Sequence, residues 1–236
     1  MSESTPPETT EESQTHVPPA SGRPLRLVVL TSGEGTLLQS MIDRLDDSVE
    51  IVAVGADRPC RALRRAEQAG LDTFLVAFDP SGQSGLRGRS GRAGTATVDR
   101  DAWNRRLAGE TASRRPDIIV SAGFMRILGS EFIDRFRGRI INTHPALLPA
   151  FPGAHAVEEA LAYGVTLTGS TVHLVDDGVD TGPIIAQQPV PVLRTDTRAT
   201  LHERIKTVER QLIVDVLHRT ARHGYTIDGR KVWIND

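Results

Sequence analysis

Between Leu25 and His144 the chain repeats one pattern: an apolar run, a break, then a stretch with helical spacing. "LRLVVLT" (Leu25–Thr31) is a continuous apolar run, as a strand buried on both faces requires. "GTLLQSMIDRL" follows it, with Leu37, Leu38, Met41, Ile42 and Leu45 on one helical face. Strands are expected again at "EIVAVGA", "DTFLVAF", "PDIIVSAG" and "RIINTH". Helices are expected at "CRALRRAEQAG", with Gly70 as its C-terminal cap, at "DAWNRRLAGETASRR" and at "GSEFIDRFRG". Such alternation predicts an α/β fold, with a mainly parallel sheet and helices on both faces.

Two stretches fall outside the pattern. Residues 1–23 are polar, acidic and proline-rich, with too little apolar surface to offset the entropy of ordering, and are expected to form a disordered tail. Residues 80–97 carry five glycines and three arginines and read as a flexible surface insertion. Residues 24–236 then form a single domain. After a proline-rich loop the pattern changes. "VTLTGSTVHLV" alternates polar and apolar residues, "TGPIIAQQPVPV" is its expected partner, and a long amphipathic helix and an Asp-Gly hairpin follow, which makes the C-terminal part antiparallel.

Composition narrows the class. A net charge of −2 gives no global attraction to nucleic acid or to an anionic membrane, so neither is an expected partner. The single cysteine, Cys60, excludes an intrachain disulfide and suits the cytoplasm. No apolar run reaches the roughly 20 residues that span a bilayer, and no secretory signal is expected.

Two motifs carry the chemistry. Ser32-Gly33-Glu34-Gly35-Thr36 joins a strand to a helix and brings backbone N–H groups to a helix N-terminus, where they can hold a phosphate. It is neither a dinucleotide fingerprint nor a Walker A loop. The second is "RIINTHPALLPAFPGAHA", which ends a buried strand on Asn142 and His144 and stiffens the adjoining loop with Pro145, Pro149 and Pro152. Residues two apart on a strand face the same way. Ligands of parallel sheets bind beyond the carboxyl ends of the strands, so an amide and a titratable imidazole point together at such a site. Asp176, Asp177 and Asp180 in "VDDGVDTGPII" could each orient the imidazole, and spacing does not choose among them. The separations of His144, His155 and His173 fit no common zinc motif, so no metal is expected.

The stretches "VVLTSGEGT", "AGFMRIL", "INTHPALLPAFPGAHA", "GSTVHLVDDGVDTGPII" and "ERIKTVERQL" occur in the order found in the phosphoribosylglycinamide formyltransferases, the folate-dependent enzymes of purine synthesis, and the chain closely resembles that family over about residues 25–235. The resemblance implies a Rossmann-like formyltransferase fold, 10-formyltetrahydrofolate as co-substrate and phosphoribosylglycinamide as acceptor. It leaves a homodimer open. It implies that Asn142, His144 and Asp180 form a catalytic trio. It assigns the ribonucleotide and its phosphate to Ser32, Gly33, Glu34, Gly35, Thr36 and Leu37 and to Lys206 and Glu209. It assigns the folate to Arg100, Met125, Arg126, Ile127, Leu128, Asn142, Val175 and Asp180, and places Gly153 and His173 beside the active site. Many relatives carry asparagine where this chain has Glu34 and Leu37, and the insertion pads the region before Arg100. The nearest alternative is a hydrolase that gives the same formyl group to water.

Formyl transfer to an amine passes through a tetrahedral intermediate. It needs a held amine, donors for an oxyanion, and a group that moves a proton from the attacking to the leaving nitrogen. An amide and an imidazolium as donors, with a carboxylate as proton carrier, meet that need.

Overall fold

A computed structural model describes residues 15–78 and 99–235. The elements in chain order are β1 Thr15–Val17, β2 Leu25–Thr31, α1 Thr36–Arg44, β3 Val49–Ala56, α2 Arg61–Gln68, β4 Thr73–Leu75, α3 Arg100–Ser113, β5 Ile118–Ser121, α4 Ser130–Arg135, β6 Ile140–His144, α5 Ala156–Tyr163, β7 Leu167–Leu174, β8 Ile184–Pro191, α6 Arg198–His223, β9 Tyr225–Asp228 and β10 Lys231–Ile234. The strands form one sheet in the order β1-β9-β10-β8-β7-β6-β5-β2-β3-β4. From β4 to β6 neighbouring strands are parallel. β7 is antiparallel to both β6 and β8, and the β9–β10 hairpin joins the sheet beyond β8.

Alternation along the central strands sorts their side chains between two cores. Leu25, Leu27 and Val29 of β2 pack with Leu38 and Met41 of α1 and Ile213 and Leu217 of α6. Val28 and Leu30 face the other way, onto Trp103 and Leu107 of α3 and Phe132 of α4. Leu27, Val28, Val29 and Leu30 are fully buried, each such side chain stabilising the fold by roughly 1.5–3 kcal/mol. That two-sided burial is why the strand reads as one unbroken apolar run.

Three departures from expectation have local causes. Thr15–Val17 is not tail: it pairs with β9, Val17 is buried, and the Ala20 N–H donates to the Ala221 carbonyl. One apolar residue and a free sheet edge suffice to order it. Residues 1–14 and the insertion at 80–97 lie outside the described residues. The strand expected over 72–78 pairs only at Thr73–Leu75, as short edge strands do. α5 was not expected. It buries only Ala156, Val157 and Ala160 and ends at Gly164 in the left-handed region, with Glu158 and Glu159 favourably placed in its first turn. Gly70, expected to cap α2, has φ of 74° two residues beyond the last helical residue, Gln68. Among the described residues, no helix is long and apolar enough to cross a membrane.

Candidate active site

The chain leaves β2 for β3 on one side of it, while β5 pairs on the other, so the β2–β5 boundary is where the strand order reverses. In open α/β sheets a crevice for ligands forms outside the carboxyl ends at such a point. Four strand ends converge there. Ser32 follows β2 and Asp57 follows β3, β5 leads into the loop 122–128, and β6 carries Asn142 and His144. The Met125 N–H donates to Ser32 Oγ at 2.9 Å, tying the glycine loop to the loop after β5.

Sheet register builds the polar centre. In the β6–β7 pair Asn142 lies opposite His173, so both side chains emerge on the same side. The Asn142 amide donates to His173 Nε2 at 3.3 Å, and His173 Nδ1–H donates to the Leu174 carbonyl at 2.8 Å. Asp180 arrives from the turn between β7 and β8 with φ of 54°, in the left-handed region. Its Oδ2 lies 3.3 Å from His144 Nδ1 and accepts the Gly153 N–H at 2.8 Å, and its Oδ1 lies 3.6 Å from His173 Nε2. The turn is tight enough to require Gly182, where a Cβ would meet the Leu174 carbonyl oxygen at 1.8 Å. Of the three candidate aspartates, the fold thus brings one to the imidazole. Asp176 instead closes its own turn, accepting from Thr181 Oγ1 at 2.6 Å, and Asp177 lies exposed near Arg137.

The two ionisable groups lean in ways that suit proton traffic. The Asp180 carboxyl is held below the usual carboxylate range despite burial: the adjoining His173 and His144 rings favour the carboxylate when either carries a second proton, and the Gly153 N–H donates to it in either state. For His144 burial dominates and lowers its pKa, while Asp180 and the Phe151 carbonyl pull it up. Burial therefore favours the neutral form of the resting ring. Its Nε2–H donates to the Phe151 carbonyl at 2.7 Å, which leaves Nδ1 facing Asp180 without a proton. A proton on Nδ1 would complete that contact, so the ring is set to take one up when negative charge develops beside it.

The other expected residues divide into those that face the crevice and those that support it. Glu34 turns outward, its side chain 70% exposed and 3.2 Å from Arg61, so its charge is directed away from the loop. The Ser32 side chain is buried and already accepts a hydrogen bond, and Leu37 belongs to the core, so these two offer a ligand only backbone groups. Gly33 has open space where a Cβ would stand, and Thr36 is exposed. Gly35 has φ of 71°, and a Cβ there would stand 2.6 Å from that of Ala62. Gly35→Ala should therefore destabilise the protein by at least about 1–3 kcal/mol; an unchanged melting temperature would show that α2 withdraws freely.

Lys206 and Glu209 lie on α6. Lys206 pairs with Glu203 at 2.8 Å, and burial pushes the Glu209 carboxyl above the usual carboxylate range, although the neighbouring Thr143, between Asn142 and His144, favours its ionised form. In the loop after β5, Met125 and Ile127 are 73% and 64% exposed, whereas Leu128 packs into the core, which removes its side chain from the expected cleft lining. Val175 is partly buried against the same core. Arg126 and Arg100 lie 4.3 and 6.0 Å from the Phe78 ring centre. Asp57 and Phe151 were missed. An aspartate directly after a buried strand in "AVGAD" is the signal for the first, while no sequence signal announces a carbonyl that fixes a histidine. Among the described residues, no group of three His, Cys, Asp or Glu side chains is placed to hold a metal ion.

Comparison with known proteins gives a consistent result. Residues 25–217 match the formyl transferase family. The chain is 53% identical over 218 residues to a phosphoribosylglycinamide formyltransferase of Mycobacterium tuberculosis, covering 91% of this chain and 92% of that protein. It is 36% identical over 218 residues to the phosphoribosylglycinamide formyltransferase of Escherichia coli, covering 89% and 94%. Its fold is similar to the crystal structure of glycinamide ribonucleotide transformylase 1 from Symbiobacterium toebii, with a TM-score of 0.79 and 36% identity over 92% of this chain and 96% of that one.

Proposed function

The chain belongs to the formyl transferase family, and from that premise we propose that it formylates the amine of phosphoribosylglycinamide in purine biosynthesis, with 10-formyltetrahydrofolate as donor. The observation that carries the reading is the convergence of Asn142, His144 and Asp180 at the carboxyl end of β6, with His144 Nδ1 3.3 Å from Asp180.

The amine attacks the formyl carbon, a carbon–nitrogen bond forms, and the carbonyl electron pair moves to oxygen. Asn142 has two amide hydrogens. One is donated to His173, and the other we assign to the oxyanion. The single proton that leaves the attacking nitrogen is shared between Asp180 and the facing Nδ1 of His144, which makes the ring a second donor to the oxyanion. Asp180, ionised at neutral pH, accepts the proton of the attacking nitrogen directly or through water and passes it towards the leaving nitrogen as the bond to the folate breaks. Donors aimed at developing charge in a partly dry site act most strongly in the transition state.

The acceptor's phosphate is assigned to the backbone N–H groups between Gly33 and Leu37, with Lys206 as its cation and Glu209 near the ribose. Met125 and Ile127 supply an apolar wall for the planar ring of the donor, with Arg126, Arg100 and Val175 along the same side. Lys206→Ala should raise the KM for the ribonucleotide about 10–100-fold, the worth of one charge-assisted hydrogen bond, with little change in kcat. An unchanged KM would take Lys206 out of the phosphate site. The reading itself is tested by mass analysis of the product. A ribonucleotide that gains one formyl group supports it. Formate as the only one-carbon product would make the protein a hydrolase.

A further inference from the structure

Asp57 is the most fully buried charge at the carboxyl edge of the sheet, its side chain wholly out of water. A carboxylate in that position is tolerated only when paired. Its Oδ2 accepts Arg126 Nε at 2.7 Å and Arg58 Nη2 at 3.1 Å. Burial alone would raise its pKa, but Ser32 and the guanidiniums of Arg126 and Arg58 hold it ionised. Arg58 is half exposed, so water can substitute for it. Arg126 is the more enclosed partner.

Arg126 sits between Met125 and Ile127, the two large apolar residues that the loop presents to solvent. Its guanidinium is fixed from two directions, by Asp57 beneath and by the Phe78 ring at 4.3 Å, and Phe78 itself stands edge-on to Trp103 at 5.1 Å. The adjacent Met125 N–H is fixed by Ser32. With Arg126 drawn inward, Met125 and Ile127 are held outward. An irregular loop has no ladder of its own to hold such an arrangement, so these anchors define it.

We propose that Asp57 is a positioning residue for the donor: by holding Arg126 it sets the loop 122–128 in the form that receives the flat apolar ring of the folate, without touching the folate itself. This rests on the donor-side reading above. Asp57→Asn keeps the shape and removes the charge. The expected result is a donor KM raised about tenfold, with kcat and the ribonucleotide KM within about twofold of the parent. A purely structural role would lower the amount of active protein and leave the donor KM alone. Asp57→Asn combined with Arg126→Gln should be no worse than the worse single variant, because both break one link.

Should Asp57→Asn not fold, Arg126→Lys keeps the loop's charge, loses the Nε contact and should shift the donor KM in the same way. Equilibrium binding of tetrahydrofolate, weakened about tenfold in the variant, reads the same effect without turnover. An unchanged donor KM and tetrahydrofolate affinity, or additive effects in the double variant, would overturn the inference while transfer by the parent stands. Failure of the parent to transfer formyl would overturn the functional reading instead, and tetrahydrofolate binding would still decide the role of Asp57.

Discussion

Asp180→Asn should fold like the parent and lose roughly 10²–10⁴ of its turnover, the usual worth of a positioned acid–base group. The substitution suits the site in every respect but one. Asparagine is among the few side chains that accept the left-handed backbone found here, with φ of 54°. Its amide oxygen can still accept the Gly153 N–H that Oδ2 accepts in the parent. It cannot take a proton from an attacking amine. Two further readouts separate loss of the proton carrier from loss of structure. The carboxylate raises the affinity of His144 for a proton, so the His144 pKa, already below its ordinary value, should fall further in the variant when followed by NMR.

The second readout is stability against pH. A carboxyl whose folded pKa is depressed stabilises the fold above its unfolded pKa and loses that contribution as pH falls through the depressed value. The variant should therefore be less stable than the parent near neutrality, and the difference should close in acid. Near-parental turnover would end the proposal for Asp180. Lost turnover with an unchanged His144 pKa would mean that the two side chains are not coupled.

Asn142→Ala and His144→Ala should each lower kcat by about 10²–10³, the cost of losing one oxyanion donor, while the ribonucleotide KM stays near the parental value. Asn142 is the cleaner test. It is only partly buried at the crevice, and its loss leaves His173 still anchored to the Leu174 carbonyl. His144 is 3% exposed, and its removal leaves the Phe151 carbonyl without its partner, which costs about 1–3 kcal/mol of stability as well. The two changes together should cost less than the product of the separate effects, because both groups serve one charge. A rise in KM with kcat intact would show that these residues bind the substrate in its ground state rather than the oxyanion.

How far the residues announced this arrangement depended on the kind of interaction. β2 was legible because two-sided burial leaves an almost unbroken apolar run, and Asn142 and His144 of β6 were legible because a strand's period of two fixes their common direction. The choice of Asp180 over Asp176 and Asp177 was not, since it depends on how a glycine-bearing turn folds back over β7. α5 escaped because a helix of two turns with three buried residues gives too few repeats for its period to stand out. The edge strand Thr15–Val17 escaped because it is ordered by partners more than 200 residues away, Tyr225–Ile227, rather than by its own composition. Which side chains of "MRIL" turn outward was hidden for a related reason. The run gives no periodic cue, and Leu128 turns into the core while Met125 and Ile127 stay exposed. The lowered pKa of His144 comes chiefly from burial, which no local motif encodes.

The measurement that bears most directly on the central claim is the conversion of 10-formyltetrahydrofolate by the purified protein, followed by absorbance with and without phosphoribosylglycinamide. Conversion that requires the ribonucleotide, and that Asp180→Asn abolishes, is the predicted result. Equal conversion without the ribonucleotide, or none in either case from folded protein, would contradict the account.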